Sequence, residues 1–377
     1  MSQQLTVLER VLREIRVKPC TLLGVSPVSE YAVKATIRAA SKLKAPVVFV
    51  ASLNQVDVDG GYTGFTPGTF VEYVKRVLRE REGTVVLFQV DHCGPWLKDE
   101  HVAKNYSYSE ALDATLKSVE AFIRAGFNLV HVDATIDKEV ESGVASLETA
   151  VKRTVEIVDL AEDIAAKWGV EVKYEVGSDR WGHTPPNRFE EFISGVVAGL
   201  KKKSIDPSKV VFAVAEVGTR IKPGNRVNGE LIKQFTSVVS KYGYLLKVHS
   251  GDYLENPEIL PQSGVGGLNV GPMLADVQYR VVKRAILEIG EHELLSQLNS
   301  LILRGDKLGK YTGRNKVEEY EMGLASRYVW SSREAYRIIE KIEEHGLPVS
   351  GKILENVEQV IEKYMKALNL EGLSLRL

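Results

Sequence analysis

The chain carries eight apolar runs of strand length, and a longer segment of helical pattern follows all but one of them. The apolar runs are continuous and rich in Val, Leu and Phe, which is typical of strands covered on both faces. They lie at 19–27, 45–54, 84–91, 128–134, 170–176, 209–217, 244–250 and 267–271, and helices are predicted at 29–43, 67–82, 108–125, 146–168, 188–203, 228–243 and 273–290. Eight such units predict an α/β fold, a (β/α)8 or TIM barrel, with an open doubly wound sheet as the second choice.

The chain is longer than a barrel requires. It has 377 residues, whereas α/β barrels run to about 250 residues as one domain. We therefore predict a barrel domain over 1–290 and additional C-terminal helices over 291–377. This extension is expected to pack on the barrel as a lid or as an oligomer contact, and a homo-oligomer is expected.

Composition argues against two classes of partner. Lys and Arg number 49 and Asp and Glu number 50, so the net charge gives no electrostatic case for nucleic acid or an anionic membrane. No uncharged apolar run reaches the roughly 18 residues that a membrane span needs, and the charged N-terminus lacks the apolar core of a signal peptide. Two cysteines, Cys20 and Cys93, fit a reducing compartment. We therefore expect a cytoplasmic protein.

Titratable residues end five of the predicted strands. They are Asp91-His92, His131-Val132-Asp133, Glu175, Glu216 and His249-Ser250-Gly251-Asp252. In a barrel the C-terminal strand ends meet at one mouth, where barrel enzymes carry their active sites. The sequence therefore predicts a functional site at this mouth.

Two imidazoles and two carboxylates among these residues form a candidate metal site. The predicted ligands are His92, Glu175, Glu216 and His249, a donor set that suits Zn²⁺, Mn²⁺ or Co²⁺. A single such residue is more often a hydrogen-bonded histidine or an ion-paired carboxylate, but two histidines on strand ends favour a metal. His183, in the loop after the fifth strand, could also reach the mouth.

Asp91 and Asp133 are the predicted catalytic residues. Asp91 precedes His92 by one position, so it should point differently at the end of the strand. A carboxylate near a metal but not bound to it can transfer a proton, or it can orient a histidine. Asp133 has two comparable readings, contact with substrate hydroxyls or support of a ligand.

Two further groups of residues are predicted to bind substrate. The loop after the second strand contributes Asn54, Gln55, Gly61, Tyr62 and Thr63, where glycines permit tight turns around a tyrosine. The last strands contribute Ser250, Gly251, Asp252, Asn269 and Gly271. Late barrel strands often hold phosphate on backbone N–H groups and a helix N-terminus. Here Pro272 lacks an N–H and Asp252 is acidic, and both features weaken the prediction of a phosphate site.

Two lysines leave a different chemistry open. Lys247 has the strand parity of His249 and Lys173 that of Glu175, so both could point into the barrel. A buried lysine with a lowered pKa could form a Schiff base. A structural ion pair is the favoured reading while a metal set is available.

Several motifs resemble one known family. Residues 55–67, Asp91-His92-Cys93-Gly94-Pro95 and 131–134 are similar to class II tagatose-bisphosphate aldolase subunits of the GatZ/KbaZ type, as are 249–253, 268–272 and 327–333. The resemblance covers most of the chain and implies a (β/α)8 barrel of the metal-dependent aldolase superfamily. It implies a catalytic acid/base at Asp91 and metal ligands at His92 and His249.

The resemblance also implies a reaction. A divalent ion, usually Zn²⁺, would polarise a ketose carbonyl while the carboxylate moves the proton of the C4 hydroxyl and the C3–C4 bond breaks. The substrate implied is a small sugar or sugar phosphate of the tagatose or fructose type.

The chain departs from active class II aldolases in two places. No histidine follows the sixth strand, where Glu216-Val217-Gly218-Thr219-Arg220 stands, and Ser250-Gly251-Asp252-Tyr253 replaces a Gly-Gly-Ser phosphate loop. Members of the family include non-catalytic partners of a true aldolase, and relatives epimerise ketose phosphates or uronates at C4. We therefore expect a metal-dependent ketose or ketose-phosphate aldolase or C4-epimerase, with a non-catalytic stabilising subunit of an aldolase partner as the alternative.

Overall fold

Eight parallel strands form a closed barrel in sequence order. The computed structural model describes residues 3–181, 184–305, 307–310 and 317–377. The strands are β1 Leu22–Val25, β2 Val47–Ser52, β3 Val86–Cys93, β4 Leu129–Val132, β5 Lys173–Gly177, β6 Val210–Val214, β7 Leu245–Val248 and β8 Val265–Val270. Because β1 pairs with both β2 and β8, the sheet has no edge. The predicted (β/α)8 barrel is confirmed, and the open sheet is wrong.

Helices surround the barrel and continue beyond it. They are α1 Gln3–Val17, α2 Glu30–Leu43, α3 Pro67–Leu78, α4 Asp99–Ala103, α5 Tyr108–Ala125, α6 Leu147–Lys167, α7 Pro186–Lys202, α8 Gly229–Ser240, α9 Ile259–Gln262, α10 Pro272–Glu288, α11 His292–Arg304, α12 Glu319–Ala325, α13 Arg333–Glu344 and α14 Val349–Ala367. The start of α3 is as the sequence predicts, with the Thr66 side chain accepting from the Thr69 N–H and Pro67 in the first turn. No described helix is long and apolar enough to cross a membrane.

The helices after the barrel pack back on it. The Lys42 Nζ of α2 lies 2.6 Å from the Glu362 carboxylate of α14, and the Thr21 N–H before β1 donates to the Leu368 carbonyl. The Tyr364 hydroxyl of α14 donates to the Gly251 carbonyl at 2.8 Å, in the loop after β7. The C-terminal helices therefore support a loop at the barrel mouth. Their division from the barrel at residue 290 stays a prediction.

Candidate active site

A break in strand β3 brings two consecutive side chains to the mouth. Strand alternation would send Asp91 and His92 to opposite faces. The pairing of β3 with β4 instead shifts register between Val90 and Cys93, and His92 has the left-handed φ of 52°. Such a bulge redirects a side chain and is common beside functional sites. Both residues thus face the same site.

Four side chains on or directly after three strands converge here. Asp91, His92, His131 and His249 each offer a ligand atom, and these atoms all lie within 4.8 Å of one another. His131 lies on β4, and His249 directly follows β7. Three imidazoles and a carboxylate are a donor set that suits Zn²⁺ and related divalent ions. A possible metal-binding group is therefore present, and it includes the predicted ligands His92 and His249.

Each histidine uses one ring nitrogen to hold its orientation. His92 Nδ1 lies 2.8 Å from Asp133 Oδ2, and His249 Nε2 lies 2.8 Å from Glu175 Oε1. His131 Nε2 lies 2.9 Å from the Gly177 carbonyl. A carboxylate or carbonyl accepts an N–H from each ring, which leaves the other nitrogen with its lone pair, as metal-ligating histidines commonly have it. In this structure the lone pair of His131 Nδ1 also accepts from the His92 backbone N–H at 3.1 Å.

The contact between His131 and Asp91 needs a proton or a cation between the two atoms. The Gly177 carbonyl can only accept, so His131 Nε2 carries hydrogen, and the other nitrogen, Nδ1, lies 2.8 Å from Asp91 Oδ1. In a neutral His131 these two atoms would face each other with lone pairs. A proton on either atom or a metal ion resolves this, so the donor set fits a divalent cation.

Burial and neighbouring charges act in opposite directions on these groups. Burial by itself would raise the pKa of Asp91, but His92, His249 and His131 together hold it well below its usual range. Burial would lower the pKa of His131, yet the charges of Glu175, Asp91 and Asp133 raise it to about 9. The centre therefore favours an ionised carboxylate and an added positive charge.

Two of the carboxylates predicted for the site orient the histidines through hydrogen bonds. Asp133 is fully buried and accepts from His92, from the N–H and hydroxyl of Thr135 and from the Ser178 hydroxyl. Glu175, predicted as a ligand, is also fully buried and binds Lys247 Nζ at 2.7 Å, Gln89 Nε2 and His249. Their acceptor positions are taken, so in this structure both carboxylates orient neighbouring side chains. Asp133 as a catalytic residue and Glu175 as a metal ligand stay predictions. In this structure Glu175 is not in the ligand group, and Asp133 does not face the cavity.

Glu216, the other predicted ligand, stands apart. Its Oε1 accepts from Arg220 Nη1 at 2.5 Å within the loop after β6, and it is not in the group of converging donors. In this structure its neighbour Arg220 holds the Glu216 carboxylate, and its part as a metal ligand stays a prediction. His183 lies outside the described residues.

The contacts of Lys247 and Lys173 favour structural ion pairs over a Schiff base. Lys247 is 2% exposed and bonds Glu175 Oε2 and Gln89 Oε1 inside the barrel. Lys173 lies at the start of β5, 3.4 Å from Glu171, at the end of the barrel away from the mouth. A lysine nitrogen engaged by carboxylate and amide oxygens is poorly placed to attack a carbonyl.

A cavity of about 280 Å³ opens beside the four converging side chains. Its lining includes Asp91, His92 and His249, together with five of the ten predicted substrate-binding residues, Gln55, Ser250, Asp252, Asn269 and Gly271. Sequence reasoning missed the other lining residues, Ser26, Ser52, Asp179, Arg180, Ile221, Val270, Pro272 and Arg327. Its volume is close to the lower end of the range of small-molecule sites.

The remaining predicted substrate residues hold the loops in place. Asn54 donates to the Leu97 carbonyl and accepts from the Asp99 N–H, and the Thr63 hydroxyl donates to the Gln55 carbonyl. Gly61 has a φ of 52°, and a Cβ there would lie 2.4 Å from the Gln55 oxygen. The rings of Tyr62 and Tyr328 are 4.8 Å apart. The Gly251 N–H donates to the Asn269 carbonyl. None of these five predicted residues lines the cavity.

The chain matches known proteins along most of its length. The family model described as D-tagatose-1,6-bisphosphate aldolase subunit GatZ/KbaZ-like matches residues 8–181. The D-tagatose 6-phosphate 4-epimerase of Agrobacterium fabrum is 24% identical over 395 residues, 95% of this chain and 90% of that protein. The GatZ subunit of D-tagatose-1,6-bisphosphate aldolase from Escherichia coli O1:K1 is 31% identical over 142 residues, which cover 35% of this chain and 31% of that subunit.

Solved structures share the fold. A probable tagatose 6 phosphate kinase from Sinorhizobium meliloti 1021 aligns with a TM-score of 0.77 and 21% identity, over 92% of this chain and all of that one. The fructose-bisphosphate aldolase of Campylobacter jejuni aligns with a TM-score of 0.58 and 15% identity, over 97% of this chain and 94% of the aldolase. The predicted resemblance to the GatZ/KbaZ family is confirmed.

Proposed function

We propose that this chain is a metal-dependent enzyme that breaks the C3–C4 bond of a ketose or ketose phosphate, as a C4-epimerase or an aldolase. The observation that carries the proposal is the convergence of His92, His131 and His249, each with its second ring nitrogen held by an acceptor. These three imidazoles would bind the ion, and Zn²⁺ is the first choice, with Mn²⁺ or Co²⁺ as alternatives. When bound, the ion supplies Lewis acidity toward a ketose carbonyl.

Asp91 is the proposed proton carrier. It lines the cavity, and its lowered pKa keeps it ionised at neutral pH. Its carboxylate takes the proton of the C4 hydroxyl, the C3–C4 electron pair stays with C3, and C4 becomes an aldehyde carbon. In epimerisation C3 adds back to the other face of that aldehyde, and Asp91 returns the proton to the oxygen. In aldol cleavage the two fragments leave and C3 is protonated.

Epimerisation is the first candidate of the two. The relative that aligns over nearly the whole chain is the Agrobacterium epimerase, whereas the aldolase subunit aligns over about a third of the chain. Ketose substrates of the tagatose and fructose type follow from the same relative.

A stabilising subunit of an aldolase is the second candidate. The observation that favours it is the 31% identity to a protein named as an aldolase subunit. Against it stands the supported metal group, because three oriented histidines around a carboxylate serve no purpose in a purely structural partner. The expected homo-oligomer, the aldolase partner and the cytoplasmic location stay predictions.

The test combines metal analysis with product analysis. Purified protein is expected to contain stoichiometric divalent metal and to convert tagatose- or fructose-type ketoses to the C4 epimer, or to two shorter fragments if it is an aldolase. His131→Ala should lose metal, and Asp91→Asn should keep metal but lose turnover by at least about a hundredfold.

His345→Ala is the control, since this exposed histidine bonds the Lys341 carbonyl on α13, far along the chain from the centre. Turnover that survives chelation would refute the proposal. Turnover only after addition of an aldolase would favour the subunit reading.

A further inference from the structure

The helix after β8 begins beside a carboxylate of the chain itself. Asp252 Oδ1 accepts from the Gly271 N–H at 3.0 Å and from the Met273 N–H at 2.7 Å. Pro272 between them has no N–H. The start of such a helix is where many barrels hold a phosphate. In this chain Asp252, only 1% exposed, occupies that anion position.

An unsatisfied amide lies next to this carboxylate. Asn269 lines the same cavity and is 6% exposed, and among the described residues neither its Oδ1 nor its Nδ2 has a hydrogen-bond partner. Gly24 makes room for it, because a Cβ there would lie 2.2 Å from Asn269 Oδ1. Leaving a buried polar group unpaired is unfavourable. The amide is therefore held ready for a ligand that both accepts and donates.

We propose that the corner formed by Asp252, Asn269 and Gly271 binds a neutral, hydroxyl-bearing end of the ketose and excludes phosphate from that end. A hydroxyl donates and accepts, so it can satisfy both atoms of the Asn269 amide. A phosphate dianion only accepts, would leave Asn269 Oδ1 unpaired, and would bring its charge beside Asp252. The inference rests on the proposed function for the ligand being a ketose.

The substrate class follows from this assignment. One end of the sugar carries a hydroxyl, so the substrates are ketoses with no phosphate or with a single phosphate at the other end. Ketose bisphosphates are excluded. Rejection by an unpaired polar group and a like charge is stronger than rejection by shape alone.

Inorganic phosphate probes the corner without any assumption about the sugar. Its affinity is measured calorimetrically on the full chain for the unaltered protein, for Asp252→Ser and for the control Asp179→Ser, all at the same metal content. Asp179 lines the same cavity and accepts from the Ser250 hydroxyl. Both variants lose one carboxylate, but only Asp252→Ser frees the Gly271 and Met273 N–H groups at the start of α10. The control also separates phosphate at α10 from phosphate bound by Arg327 in the same cavity.

Asp252→Ser should bind phosphate at least about tenfold more tightly than the unaltered protein, because two N–H groups at a helix start become available to an anion. Asp179→Ser should bind it as the unaltered protein does. Equal affinity in Asp252→Ser and the unaltered protein would overturn the inference. So would an equal gain in both variants.

A second comparison holds even if Asp252→Ser fails to fold. The unaltered protein should bind a ketohexose 1,6-bisphosphate at least about tenfold more weakly than the better bound of the two monophosphates, and Asp252→Asn, which removes the charge but keeps the acceptor, should narrow that gap. A preference for the bisphosphate would refute the exclusion. If no ketose binds while the phosphate comparison succeeds, the proposed function fails and the exclusion of phosphate stands.

Discussion

Replacing Asp252 by Asn should stabilise the protein at neutral pH and leave its stability unchanged in acid. Burial raises the pKa of this carboxyl to about 6, against the opposing hydrogen bonds from the Met273 and Gly271 N–H groups and the charge of Arg327. Asn has the size of the protonated acid, and its Oδ1 can still accept from the two N–H groups. The substitution therefore removes only the cost of ionising a buried group.

The size and sign follow from linkage. The ordinary pKa is 3.8, and a difference of one pKa unit is worth about 1.4 kcal/mol, so ionisation costs about 3 kcal/mol of folding free energy. Below about pH 4 the carboxyl is protonated in both states and costs nothing. Between about pH 4 and 6 the folded protein holds a proton that the unfolded chain has lost, so stability falls as the pH rises. Above about pH 6 the full cost remains.

The assay is denaturant unfolding of the unaltered protein and Asp252→Asn from pH 4 to pH 8. The difference in unfolding free energy should grow from near zero to about 3 kcal/mol in favour of the variant. Asp113→Asn, on the exposed face of α5, is the matched control and should show no such growth. A variant that is less stable at pH 8, or a difference independent of pH, would refute the reasoning.

Two further substitutions probe the support around the cavity. Glu175→Gln leaves Lys247 without its buried counter-ion and weakens the hold on His249; the unfolding free energy should fall by about 3–5 kcal/mol, and metal affinity measured by competition with a chelator should fall about 10–100-fold. Gly24→Ala should displace the Asn269 side chain and weaken ketose binding measured by calorimetry, whereas Gly68→Ala, with nothing within 4 Å of its added Cβ, should not.

The ring of strands could be predicted because strands that are buried on both faces have a recognisable sequence. Continuous apolar runs separated by helical segments leave few alternatives. Helix α1 was missed although Leu8, Val11, Leu12 and Ile15 are buried at helical spacing. The charged residues between them obscured that pattern.

The site could be predicted only in outline. The strand ends identified the mouth of the barrel and the residues His92 and His249. They did not show which polar residues join the converging group and which support it. Strand alternation directs Glu175 and Lys247 into the barrel, as it would a metal ligand, yet they pair with each other there. His131 pairs in register with Glu175, and the signal that could have found it was its parity with Asp133, which directly follows the same strand. The bulge at His92 had no such signal, since alternation predicts opposite faces for neighbouring residues.

The position of His131 answers the main departure from the aldolase pattern. That pattern has a histidine after the sixth strand, where this chain has Glu216 held by Arg220. The third imidazole here comes from β4 instead, and it is oriented by the Gly177 carbonyl at the end of β5. On the proposed assignment the metal therefore keeps three nitrogen donors without the sixth strand. The loop after β6 is then free of any metal role, and the departures that bear on the substrate are those at Asp252 and Asn269.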